Sequence, residues 1–170
     1  MPSSLVVFAG VPGVGKSSVA EGVARALGRP VLSVDPIEQG MADAGIPPSF
    51  ERGLAAYLVA ARCAAHLLGL GQGVIVDAVN AEPEGRAVWH EVGAAAGIAP
   101  TWVHVTCSDP AVHRARLEGR ARRYADVDEP AWAAVIARAA GFAPWTDERI
   151  TVDTASPLPT TIAHVLAALS

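Results

Sequence analysis

Short apolar runs alternate with helical periodicities along this chain. Leu5-Val-Val-Phe-Ala9 is uninterrupted, as expected for a strand buried on both faces of a parallel sheet. Val19, Val23 and Leu27, with Ala20 and Ala24 beside them, then recur at helical spacing until Gly28 gives a stop signal. Pro30 to Val34 predicts a second strand ending at Asp35, and Pro47-Pro48-Ser49 opens a long helix, roughly Phe50 to Leu68. Val74-Ile-Val76 predicts a third strand ending at Asp77. Pro83 starts a helix running to about Gly97, and Thr101 to Thr106 is a fourth strand. Asp109-Pro110 pairs a helix cap with a first-turn proline. Pro130 begins one more helix, Ile150 to Val152 is a fifth strand, and Pro159 to Leu169 closes the chain. Strand-helix alternation of this kind predicts one α/β domain over residues 1–170, built on a doubly wound parallel sheet.

Composition narrows the partners. The chain is 51% hydrophobic with 5% aromatic residues, and its net charge is −4. That overall field disfavours a long polyanion such as nucleic acid. Leu54 to Leu68 is apolar but too short to span a bilayer, and it contains Arg62 and His66. Met1-Pro-Ser-Ser leads straight into the first strand, which leaves no room for a signal peptide. Cys63 and Cys107 are isolated, without metal-ligand spacing, so reduced thiols and a soluble cytoplasmic protein are expected.

One motif changes the picture most. Gly10-Val-Pro-Gly-Val-Gly-Lys-Ser17 completes a GxxxxGK[ST] phosphate-binding loop, with Ser18 just after it, and Lys16 is the only lysine beside 12 arginines. Strand, glycine loop and helix follow in the order such a loop needs. Gly10, Gly13 and Gly15 let the backbone at Val11, Pro12 and Val14 turn tightly, so that amide groups and the helix N-terminus face an anion. Lys16 supplies a compact ammonium for the β- and γ-phosphates, and the Ser17 hydroxyl suits Mg²⁺.

Further candidates fall at the carboxyl ends of predicted strands, where ligands gather in open α/β sheets. Asp35 is placed to activate or orient an attacking hydroxyl, with a turn or helix cap as the plainer role. Glu38, one turn later, is either a second acidic contact or a solvated helix residue. Asp77 ends a hydrophobic strand like a Walker B carboxylate, which would hold Mg²⁺ with Ser17. Alternatively, Asp77 and Asn80 contact the acceptor or brace the site. Arg114-Ala-Arg-Leu-Glu-Gly-Arg-Ala-Arg-Arg123 holds five arginines in ten residues. Arg120 and Arg123 are the candidates for neutralising a transferring phosphoryl group, whereas a solvated helix face accounts for Arg114 and Arg116. The five histidines lack metal-site spacing. The tryptophans suit core packing, with Trp145 and Phe142 also candidates for an acceptor pocket.

These motifs resemble the small P-loop kinases that phosphorylate hydroxyl groups. Val74-Ile-Val-Asp-Ala-Val-Asn80 followed by Arg86 is similar to the VIxDxxNxxxxxR stretch of the polynucleotide-kinase-like, predicted-kinase group. Val34-Asp-Pro-Ile-Glu-Gln-Gly-Met41 looks like the VDxxIExM segment of chloramphenicol phosphotransferase, shifted by one residue after the aspartate. Val152-Asp-Thr154 and the closing helix are similar as well. The resemblance implies a three-layer α/β/α fold with a five-stranded parallel sheet and a short lid near 119–129. It also implies ATP and Mg²⁺ as cofactors, Asp35 as the base, and Asp77, Asn80 and Arg86 near the acceptor. Polynucleotide kinases of this group carry a basic residue where this chain has Glu38, which disfavours a nucleic-acid acceptor. A GTPase switch lacks its NKxD and DxxG motifs here. The expectation is phosphotransfer from ATP to a hydroxyl of an antibiotic, sugar or nucleoside-like metabolite. A nucleic-acid or nucleotide end kinase and a non-catalytic ATP-binding protein are the alternatives. The sequence sets no oligomeric state.

Overall fold

A computed structural model describes residues 4–119, 130–142 and 144–170. In chain order its elements are β1 (Leu5–Ala9), α1 (Lys16–Leu27), β2 (Val31–Ser33), α2 (Val34–Asp43), α3 (Phe50–Gly69) and β3 (Val74–Asp77). There follow α4 (Pro83–Ala95), β4 (Thr101–Thr106), α5 (Pro110–Gly119), α6 (Trp132–Ala140), β5 (Arg149–Asp153) and α7 (Leu158–Ala168). All strand pairings are parallel, in the order β2-β3-β1-β4-β5.

Alternation along the strands feeds two cores. Val6 and Phe8 of β1, Ile75 of β3 and Val103 of β4 pack with Val19 and Val23 of α1 and Val165 of α7. Leu5 and Val7, Val74 and Val76, and Trp102 point the other way, onto α3 and α4. Burial on both faces explains why these strands read as continuous apolar runs rather than alternating ones. In α3, Ala56, Ala60 and Ala64 are fully buried at four-residue spacing. Their small side chains let the helix lie close to the sheet. Ser49 caps it, its hydroxyl accepting from the Arg52 amide at 3.1 Å.

Helix α2 departs from expectation. Asp35 was placed at the end of a strand, yet it sits in the first turn of a helix that begins directly after the short β2. Asp35-Pro36 reads locally as a turn, but proline in a first helical turn loses no hydrogen bond, and an aspartate there favours the helix dipole. Gly40 further weakened the helical signal. Among the described residues no helix is long and apolar enough to cross a membrane.

Candidate active site

The phosphate loop lies at the carboxyl edge of the sheet, between β1 and α1. Gly10 has φ +150, and a Cβ there would sit 2.4 Å from the Val105 carbonyl oxygen. Only glycine fits against β4 at that point. Gly15 forms the left-handed N-cap of α1 at φ 85, which turns the chain into the helix at Lys16. Val11 and Val14 are buried in the core. Their side chains anchor the loop, leaving its amides and the α1 N-terminus as the anion-facing surface. Ser17 is half-buried and Ser18 exposed in the same first turn.

Helix α5 and the end of β5 hold the loop from behind. The His113 Nε2 lies 2.8 Å from the Pro12 carbonyl oxygen and donates to it, while the ring stacks edge-on against Trp132 at 4.9 Å. Thr154 Oγ1 donates to the Val14 carbonyl at 2.6 Å. Arg116 donates to both Thr154 oxygens, at 3.0 Å to Oγ1 and 2.9 Å to the carbonyl. A Cβ on Gly15 would lie 3.8 Å from Arg116 Nη1, so this guanidinium borders the loop. By its local pattern Arg116 belongs to a solvated helix face. Its real partner, Thr154, is 38 positions away and invisible in local pattern. His113 was missed for the same reason. Arg114 does behave as a surface residue, paired with Glu118 at 2.7 Å. Arg120 and Arg123, and the lid expected near 119–129 apart from Gly119 itself, lie outside the described residues.

Lys16 and Asp77 meet at the centre. Asp77 ends β3 in register with Phe8 of β1 and Ser33 of β2, and both it and Lys16 are buried. The ammonium donates to Asp77 Oδ1, and Ser33 Oγ donates to Oδ2 at 3.3 Å. Burial is the largest single influence and would raise the Asp77 carboxyl, but the Lys16 charge together with hydrogen bonds from Lys16, Ser17 and Ser33 outweighs it and holds the group below its ordinary value of 3.8. Among the described residues no three His, Cys, Asp or Glu side chains cluster as a metal site. A divalent cation would rest on the Ser17 hydroxyl, the Asp77 carboxylate that it bonds, and ligand oxygens. That hard-oxygen set suits Mg²⁺.

On the β2 side, half-buried Asp35 projects from the first turn of α2, two residues beyond the row formed by Ser33 and Asp77. Tyr57 of α3 closes this side. Its hydroxyl accepts from the Asn80 amide at 3.2 Å, and burial pushes its pKa up to about 12, with Asp35 and Asp77 adding to the rise. It is therefore a neutral wall facing two carboxylates. Glu38 is neither free nor merely solvated: its carboxylate pairs with buried Arg52 at 3.3 Å, and Arg52 also donates to the Ile46 carbonyl at 2.9 Å. That pair ties α2 to the start of α3.

Asn80 and Arg86, expected near an acceptor, with bracing of the site as the other role for Asn80, bond to the scaffold. Asn80 has φ 52 and is buried; its Nδ2 donates to the Phe8 carbonyl at 2.9 Å, and its Oδ1 accepts from Trp89 Nε1 at 2.9 Å. Arg86 donates to the carbonyls of Asn80, Ala81 and Pro144, at 3.2, 2.8 and 3.1 Å. The loop carrying Pro144 is thereby pinned to α4. Trp145, a candidate for lining an acceptor pocket, has the guanidinium groups of Arg86 and Arg149 over its ring, each 5.1 Å from the centroid. It packs edge-on against Trp102 near the start of β4, away from the carboxyl edge, and Phe142 packs on His104.

A three-layer α/β/α arrangement with this strand order and a phosphate loop after β1 is the P-loop kinase fold. The profile of a family described as an AAA domain matches residues 5–142, and the chain belongs to that family. It is 33% identical over 165 residues to the uncharacterized protein Rv2004c of Mycobacterium tuberculosis, with 90% of this chain covered. It spans only 32% of that protein's length. A gluconokinase from Sinorhizobium meliloti shares the fold with a TM-score of 0.71 at 22% identity, covering 99% of this chain and 91% of the other. An APS kinase of Mycobacterium tuberculosis, solved with AMPPNP and APS, shares it with a TM-score of 0.71 at 24% identity over 99% of both chains.

Proposed function

We propose that this chain transfers the γ-phosphate of ATP to a hydroxyl group of a small molecule. The reading rests above all on one juxtaposition: a lysine-armed phosphate loop and two acidic residues, Asp77 and Asp35, share the carboxyl edge of the sheet. The kinases that share the fold support it, one named for gluconate and one solved with an ATP analogue.

In this reading the loop amides and the α1 N-terminus bind the phosphate tail, and Lys16 leaves Asp77 to neutralise charge on the β- and γ-phosphates. Ser17 and Asp77 hold Mg²⁺, which supplies charge neutralisation when bound. Asp35 accepts the proton of the attacking hydroxyl or orients it in line. Arg116 faces the loop from the β5 side, and Arg120 and Arg123 keep the role of countering charge on the phosphoryl group. Position 38 carries a glutamate whose charge is taken up by Arg52, so no basic group stands there to hold an acceptor's phosphate. That disfavours a phosphorylated nucleic-acid end and favours an antibiotic, sugar or nucleoside-like hydroxyl compound.

The test is an ADP-release screen across antibiotics, sugars, sugar acids, nucleosides and oligonucleotides, with Lys16→Ala as the blank. Acceptor-dependent ADP release from a small hydroxyl compound is expected. Release with oligonucleotides alone would make it an end kinase, and ATP binding without release to any acceptor would make it a non-catalytic binding protein.

A further inference from the structure

We propose that the outer face of α3 is the surface through which two copies of this chain pair, antiparallel and about a two-fold axis. The inner face of α3 is already sealed by Ala56, Ala60, Ala64 and Leu68. Its outer face should therefore be polar. Instead Leu54, Leu58 and Val59 are 41%, 48% and 42% exposed, and Phe50 at the helix start is 79% exposed. Leu54 and Leu58 stand one turn apart on one line of that face with Val59 at its border, a contact surface rather than scatter, whereas Phe50 lies on the opposite flank from Val59.

The charges flanking these residues identify the occupant. Glu51 and Arg62 are eleven positions apart, about three helical turns, which returns them to nearly the same line along the helix. Leu54, Ala55, Leu58 and Val59 lie between them. Arg62 makes no ion pair or side-chain hydrogen bond among the described residues, and Glu51 bonds only locally, to Ser49 and its own backbone. A two-fold antiparallel pairing centred between positions 56 and 57 sets Ala55 against Leu58 of the second copy, with Leu54 and Val59 flanking this centre on either side. It also sets Glu51 against Arg62, and symmetry repeats each contact. The result is an apolar centre closed at both ends by opposite charges. Parallel pairing would oppose Glu51 to Glu51 and Arg62 to Arg62, so the charge pattern selects the antiparallel arrangement. Nothing in this surface draws on the phosphate site, and the proposal stands independently of the kinase reading.

Sedimentation velocity on the full chain, over about 1 to 100 μM, reads the outcome. A mass about twice the 17.5 kDa of one chain is expected at the upper end. Leu58→Glu should remain monomeric there. Glu51→Arg and Arg62→Glu should each weaken association by about tenfold, and the two together should restore it, because the charges are merely exchanged. Melting temperatures near that of the native chain serve as the folding control. A covalent readout fixes the orientation. The same pairing places position 51 against position 62 of the second copy, so Glu51→Cys/Arg62→Cys in the Cys63→Ser background should form a disulfide-linked dimer under mild oxidation, and neither single cysteine variant should. Within one chain, positions 51 and 62 stand about 16 Å apart along the helix, beyond any disulfide. A monomeric mass at every concentration would overturn the proposal and leave this face to a covering domain, for which the longer mycobacterial relative has room. A double charge exchange that stays dissociated, or no cross-link from Glu51→Cys/Arg62→Cys, would overturn the antiparallel pairing.

Discussion

Lys16, the first residue of α1, and Asp77, the last of β3, form a buried ion pair across the mouth of the phosphate loop. The ammonium that a triphosphate would recruit is thus held by the carboxylate that a metal would recruit. Binding a nucleotide with its metal would exchange one partner for another at both ends of the pair. Such an exchange has a lower desolvation cost than bringing an unpaired lysine out of water, because each charge is already sequestered.

This relationship gives Asp77→Asn an effect whose sign depends on metal. Without divalent cations the substitution frees Lys16 and removes a negative charge from beside the phosphates. Metal-free ATP should therefore bind about tenfold tighter, roughly 1.4 kcal/mol. With Mg²⁺ in excess the lost oxygen ligand should reverse the change and weaken binding. Calorimetric titration in EDTA and in Mg²⁺ measures both, and an effect of one sign in both conditions would leave Asp77 without a role in holding the metal.

Stability should respond to acid through the same carboxylate. The folded-state pKa of Asp77 lies below its ordinary value of 3.8, so its ionised form is favoured by folding. The contribution is fully present above the ordinary carboxylate range and drains away as pH falls through that range toward the lower folded value. Urea unfolding from pH 6 down to about pH 3 should show a steeper loss in the native chain than in Asp77→Asn. Parallel curves would mean that the pair contributes no linkage.

Asp35→Asn keeps the shape of α2's first turn and removes the carboxylate proposed as proton acceptor. Turnover should fall by about two to four orders of magnitude with nucleotide affinity retained. Steady-state kinetics on an acceptor found in the screen, beside an ATP titration, separates the two. Unchanged turnover would assign Asp35 to capping α2.

Arg86→Ala tests scaffold against substrate contact. It would leave the carbonyls of Asn80, Ala81 and Pro144 without their donor, which should cost about 2–4 kcal/mol of folding stability. Arg86→Lys should recover little, because a single ammonium cannot span three carbonyls set around a planar fork. Denaturant midpoints measure the loss. A variant of native stability with a raised KM for the acceptor would return Arg86 to the substrate.

Strands β1, β3 and β4 were legible because apolar runs buried on both faces look alike wherever they occur, and the glycine loop was legible because its spacing is dictated by one close backbone approach at Gly10. Helix α2 was not, since Asp35-Pro36 satisfies both a turn and a helix start, and only the packing of Val34 under α3 decides between them. The stretch from Asp77 through Asn80 to Arg86 stood out as a motif, yet the partners that give each residue its work are distant: Lys16 for Asp77, Phe8 for Asn80, Pro144 for Arg86. Arg116 and His113 carried no local signal, because an exposed or apolar helix position becomes a loop support only when Thr154 or Pro12 arrives from elsewhere in the fold.

The central claim is that Lys16 and the loop around it grip a triphosphate. Isothermal titration of ATP with Mg²⁺ into the native chain and into Lys16→Ala tests it most directly, with both repeated in the Asp77→Asn background so that no carboxylate is left buried and unpaired. One site per chain is expected, with affinity at least about tenfold weaker in both Lys16→Ala proteins, matching the loss of a charge-assisted contact. Absence of ATP binding by the folded native chain, or equal affinity with and without Lys16, would contradict it.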